Sequence, residues 1–131
     1  MPLELGEWKM NSNGIQFTLL INTVNAAGHV TGYLNIAPET DRITGFWDET
    51  SQELTFSPVH STSGGDDKVL PFFYKGYLFS TPTAPLPGQD LVWTLAGFFQ
   101  SVDVDDYFGM VGNANARRNI FGWFAQITMI A

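Results

Sequence analysis

Cysteine is absent from the chain. That excludes a disulfide framework and a thiolate metal site, and it leaves the compartment unassigned. Basic residues are scarce: Lys and Arg total 6 against 13 Asp and Glu, for a net charge of −7. Such a balance grips a phosphate backbone poorly, so no nucleic-acid partner is expected. No apolar run reaches the ~18 residues of a spanning helix, so no membrane partner is expected either. Met1-Pro2-Leu3-Glu4-Leu5 has neither the basic nor the apolar stretch of a signal peptide. The expectation is a cytoplasmic protein or the mature form of a secreted one. There is no G-x-S-x-G, no H-E-x-x-H and no phosphate loop, so no catalytic residue, metal site or cofactor is expected.

Histidine is nearly absent too. His29 and His60 fall at or beside turns and read as exposed side chains. Asp103, Asp105 and Asp106 alternate like cation ligands, but the glycine and closing glutamate of an EF-hand are missing, so they read as a solvated acidic loop.

Aromatic residues are abundant: 11 Phe, 4 Trp and 4 Tyr in 131 residues. With 44% hydrophobic content they predict one packed domain over 1–131. Many of them follow a glycine inside a short apolar run. The runs are Gly6-Glu7-Trp8, Gly32-Tyr33, Gly45-Phe46-Trp47, Gly76-Tyr77, Gly97-Phe98-Phe99 and Gly122-Trp123-Phe124. Glycine inside a strand marks a bend or a close approach. Tightly coiled strands of a small barrel need such bends, and rings fill the space inside.

The turn signals divide the chain into eight strands, over 4–11, 15–24, 30–36, 42–48, 52–57, 72–80, 91–101 and 118–129. Ile15, Phe17, Leu19 and Ile21 alternate with Gln16 and Thr18, the period of a half-buried strand. Pro58 is expected to end the fifth strand. Residues 61–67 and 102–117 read as loops. Short hairpin links and no helical period predict an all-β fold, an eight-stranded antiparallel up-and-down β-barrel. Trp8 reads as a plug at one barrel end. The last three strands carry large apolar groups on both faces, and a barrel interior covers only one. The other face is expected to form a subunit interface.

Four stretches resemble the avidin and streptavidin family. They are Gly6-Glu7-Trp8, Gly28-His29-Val30-Thr31-Gly32-Tyr33, Ile43-Thr44-Gly45-Phe46-Trp47-Asp48, and the acidic run Ser101–Tyr107 followed by Asn119-Ile120-Phe121. The second stretch is one residue shorter before its tyrosine than the family pattern. The resemblance implies an avidin-like barrel, a homodimer or homotetramer, with biotin held at one open end. On that pattern Tyr33 meets the ureido oxygen, with Asn35 a nearby polar group. Asn119 meets the ureido group from the last strand. Tyr107 covers the ligand from a neighbouring subunit. Trp93 or the Phe98/Phe99 pair supplies a ring wall, and Trp47 is a further candidate for the pocket lining.

Two departures weaken a biotin site. Met10 stands at the family's strand-1 asparagine position, and Glu53-Leu54-Thr55-Phe56-Ser57 lacks the tryptophan of bacterial members. Each missing polar partner costs about 1–3 kcal/mol. The expected function is therefore a non-enzymatic small-molecule-binding barrel with an altered biotin-type site. Two alternatives stand beside it: a barrel cyclase or isomerase acting on an apolar substrate, and an oligomeric interaction module without a ligand.

Overall fold

In the computed structural model, placement is described for residues 2–36, 39–61, 67–69, 72–80, 90–106 and 114–130. Nine strands and no helix occur among them: β1 (Gly6–Ser12), β2 (Ile15–Val24), β3 (His29–Ile36), β4 (Glu39–Asp48), β5 (Glu53–Ser61), β6 (Asp67–Val69), β7 (Phe72–Ser80), β8 (Asp90–Asp106) and β9 (Ala114–Ile130). Eight of them pair with their chain neighbours, all antiparallel, from β1 through β5 and then β7 to β9. β9 returns to β1 through Lys9↔Gln126 to Ser12↔Trp123. The sheet is thus a closed eight-stranded up-and-down barrel.

The turns use local chemistry. Asn13 and Gly14 both take positive φ, 51° and 84°, as a two-residue hairpin turn requires. The Asn11 carboxamide oxygen accepts the Gly14 N–H at 3.0 Å. Asn25 accepts from the Ala27 and His29 amides at 3.0 and 2.8 Å, closing the β2–β3 link. Asp48 accepts from the Thr50 and Ser51 amides at 2.9 and 3.3 Å. Those backbone bonds, Ser51 first and then Thr50, hold its carboxyl below the usual range.

Alternate residues face the lumen. They include Trp8 and Met10, Leu19 and Ile21, Val30 and Leu34, Ile43 and Trp47, Leu54 and Phe56, Tyr74 and Leu78, Leu95, and Trp123 and Ala125. The inward glycines are places where another group occupies the volume of a side chain. A Cβ on Gly97 would lie 2.0 Å from the Lys75 carbonyl oxygen, and one on Gly76 would lie 2.5 Å from the Trp123 ring. The Trp123 indole N–H donates to the carbonyls of Phe98 at 2.9 Å and Lys75 at 3.2 Å. Gly76 thereby admits a ring against the wall, Gly97 admits the neighbouring backbone, and the ring bonds to the wall in return.

Three boundaries differ from the sequence reading. β6 is an addition: of its three residues only Asp67 falls in the stretch that reads as loop, and Lys68 and Val69 carry no assignment, yet they pair with Val59–Ser61, too short a stretch for a period to register. β5 runs through Pro58, which pairs with Ile43. Its β7 partner has already left at Phe56↔Tyr74, so the missing N–H interrupts no ladder on that side. β8 and β9 continue past the barrel as a hairpin, from Val102↔Arg118 to Asp106↔Ala114. Val102 and Val104 alternating with Asp103 and Asp105 is a period of two, which the acidic content disguised as a loop.

Candidate functional site

The two ends of the barrel differ. One end receives the start of β1, the β2–β3 and β4–β5 links, and residues 2–5. There Trp8 is fully buried with Leu3, Leu54 and Leu95. Its indole N–H donates to the Glu4 carbonyl at 3.1 Å, so the segment before β1 is held against that end. Trp47 lies at the same end, its N–H bonded to Glu49 at 2.7 Å.

At the opposite end the lumen holds a cavity of about 280 Å³. Every barrel strand contributes a wall residue: Ser12 (β1), Phe17 (β2), Leu34 (β3), Asp41 (β4), Pro58 (β5), Tyr74 (β7), Phe99 (β8) and Phe121 (β9). A larger hollow of about 800 Å³ lies between Pro2–Leu5, the β2–β3 link and Phe46–Glu49. It is bordered by the buried Leu3 and Trp47 as well as by exposed Asn25, Ala26, Ala27, Asp48 and Glu49. A mostly apolar pocket with few polar groups is the better ligand site, so the smaller lumen cavity is the candidate.

One wall of that cavity belongs to a ladder of rings. Phe56 and Tyr74 stack with centroids 4.7 Å apart and Tyr74 and Phe99 at 4.9 Å, while Phe99 and Phe121 lie tilted at 5.2 Å. Trp123 meets Phe56 and Tyr74 edge-on at 5.8 and 6.0 Å. The registers Phe56↔Tyr74, Tyr74↔Phe99 and Phe99↔Phe121 put the rings on consecutive strands at one level. Such offset and edge contacts stabilise the wall beyond simple burial.

Polar groups in the cavity are few. Ser12 is 2% exposed, and its hydroxyl has no hydrogen-bond partner of ordinary geometry among the described residues. It lies near the Tyr74 phenol. Burial pushes that phenol up to about 12, and the Ser12 hydroxyl pulls slightly the other way. The two hydroxyls therefore feel one another without forming a well-aligned bond. A second buried donor without a described partner, the Trp93 indole, does not line this cavity. Asp41 is the one charged group among the lining residues, and it has an interaction partner already.

Of the residues singled out in the sequence, Phe99 lines the cavity. Asn119 is registered opposite Ser101 on the row above it, facing inward and partly buried. Trp47 faces inward at the sealed end, and Trp93 is registered with Ile127 at that end also. Tyr33 and Asn35 are on the outer face, both exposed. The alternation of β3 sets this, with Val30, Gly32 and Leu34 buried on the inner face. A shift of one residue in a strand turns a side chain to the other face, and here Gly32 and Leu34 face inward while Tyr33 faces out. Tyr107 lies outside the described residues.

Sequence reasoning missed Ser12 and Tyr74. Both carry a usable signal. Trp8, Met10 and Ser12 alternate on one face, as do Phe72, Tyr74 and Leu78. Ser12 was absorbed into the turn signal, and Tyr74 into an apolar strand.

His29 accepts or donates with the Thr44 hydroxyl at 3.1 Å and meets Phe46 edge-on, away from the cavity. Among the described residues no three His, Asp or Glu side chains gather as a metal site, and no helix is long and apolar enough to cross a membrane. Comparison with protein-family models, curated proteins and solved structures finds no match for this chain.

Proposed function

We propose that the protein is a non-enzymatic small-molecule-binding barrel that holds its ligand in the lumen cavity at the end away from Trp8. The observation that carries this reading is the asymmetry of the lumen: sealed by indole and leucine at one end, open in an aromatic cup at the other. Ring walls supply the binding, and a few hydroxyl and amide groups supply selection. The avidin-like resemblance supports biotin as a ligand type, with an altered site. Tyr33 and Asn35 point out of the barrel, so the ureido partners expected of them are missing, at about 1–3 kcal/mol each.

Calorimetric titration with biotin tests the biotin version. Weak binding, displaced by substitution of Phe99, agrees with it. No heat at any accessible concentration removes biotin and leaves the cavity to another small molecule.

A second part of the proposal concerns assembly as a homodimer or homotetramer through β7, β8 and β9. Phe73, Tyr77 and Phe79 on β7, Phe98 on β8, and Ile120 and Phe124 on β9 are all exposed on the outer wall. A patch of that kind on a lone barrel is an interaction surface. Light scattering on the eluting protein is expected to give a multiple of 14.5 kDa. Phe98→Glu is expected to return it to the single-chain mass. A single-chain mass for the unaltered protein rejects the assembly.

A further inference from the structure

The cavity's size, walls and polar groups together define a class of ligand. This step rests on the lumen cavity being the ligand site. We propose that the cavity takes a compact two-ring group, uncharged in its buried part, that presents one hydrogen-bond-accepting oxygen to the hydroxyls of Ser12 and Tyr74.

Size sets the number of rings. A cavity of roughly 150 Å³ lined by apolar side chains holds one benzene. This one has about 280 Å³, close to twice as much. The run of Tyr74, Phe99 and Phe121, its first pair stacked and its second tilted by 33°, lines one side of the cavity with aromatic carbon that suits a ring-containing guest.

Charge sets the protonation class. The one charge among the lining residues is the Asp41 carboxylate. An anionic guest would meet a like charge and lose its hydration without a counter-ion there. A cationic guest would have to compete for Asp41, which is already engaged. A neutral guest has neither cost.

The hydroxyls set the polar end. Ser12 is buried and has no well-aligned partner among the described residues. Burying a hydroxyl unpaired is unfavourable, so its presence works against the empty fold. It is useful where a guest completes the bond. Tyr74 stands beside it as a phenol that stays protonated through the neutral range. An oxygen acting purely as acceptor, such as a ring ketone, can take both protons, because each hydroxyl is free to rotate its hydrogen.

The experiment uses the full chain and three fused-ring probes of similar size. These are 1-tetralone with one carbonyl, tetralin with no polar atom, and 1-naphthoate with a charge. In calorimetric titration 1-tetralone is expected to bind roughly tenfold more tightly than tetralin, the worth of one to two neutral hydrogen bonds. Naphthoate is expected to bind more weakly than 1-tetralone. Ser12→Ala should lower 1-tetralone affinity about fivefold and leave tetralin within about twofold. Tyr74→Phe should do the same while keeping the ring wall. Without ligand, Ser12→Ala should raise the melting temperature by roughly 2–5 °C, because an unpaired hydroxyl has been removed.

Equal affinity for 1-tetralone and tetralin, or tighter binding of naphthoate, overturns the ligand class and leaves the site standing. A melting temperature that falls in Ser12→Ala assigns the hydroxyl to the fold and overturns the class as well. Failure of all three probes to bind overturns the site itself.

Discussion

The same eight strands build both ends of the barrel, yet one end is solid and the other hollow. At the solid end the inward positions hold Trp8, Trp47, Leu54 and Leu95, and Leu3 lies over them. At the hollow end they hold Ser12, Pro58 and a single layer of rings, and about 280 Å³ is left. Strand number fixes how wide a barrel is. Whether its lumen is filled is then decided row by row, by the volumes at alternate residues. An indole on β1 at one end and a serine on the same face four residues later account for much of the contrast.

The largest test of this difference is truncation at each end. Trp8→Ala removes a fully buried indole from the solid end and is expected to cost about 3–5 kcal/mol in urea unfolding. Phe17→Ala at the cavity rim removes a side chain that is only partly buried. It should cost about 1–2 kcal/mol, since its space adjoins a hollow already present. Equal losses would mean that the two ends are packed alike.

Gly97→Ala addresses the wall that the two ends share. Its new methyl would meet the Lys75 carbonyl oxygen and the Gly76 backbone, so β7 and β8 must separate and carry with them the Lys75 carbonyl to which the Trp123 indole donates. A loss of about 1–3 kcal/mol is expected, together with a change in indole fluorescence. An unchanged protein would show that the wall has slack there.

The Tyr74 phenol makes a pH test confined to the hollow end. Its folded value is raised from 10.0 to about 12, burial being the main cause. The unfolded chain then loses the proton first as pH rises. The stabilisation is complete below pH 10 and is lost between about pH 10 and 12. Melting curves across that range should therefore fall more steeply for the unaltered protein than for Tyr74→Phe. Identical slopes would place the phenol in water.

The smallest effect is expected outside the barrel. Lys75 and Glu53 approach at 3.4 Å across β7 and β5, both partly exposed. Glu53→Gln should change stability by no more than about 0.5 kcal/mol.

The barrel itself was readable from the sequence. The alternation of Ile15 to Ile21 and the glycine–ring runs are consequences of a coiled, half-buried sheet, and they are local. Depth along the barrel axis is not local. Trp47, Trp93 and Phe99 look alike as aromatic residues in strands, but only Phe99 reaches the cavity. Their level depends on the shear of the closed sheet, which one strand does not carry. Facing was readable in principle: counting by twos from Val30 and Leu34 turns Tyr33 and Asn35 outward. The resemblance points the other way, although a stretch shorter by one residue changes the face on which its tyrosine falls. Ser12 shows the converse, a cavity residue hidden inside a strong turn signal.

The most direct measurement is methyl NMR during titration with a small fused-ring probe such as 1-tetralone. Ile15 and Leu34 border the cavity, whereas Leu54 and Leu95 lie in the filled part of the lumen. Shifts concentrated at Ile15 and Leu34, with Leu54 and Leu95 nearly still, are the predicted result. Shifts centred on Leu54 and Leu95, or spread evenly over all four, would contradict a barrel that is sealed at one end and receptive at the other.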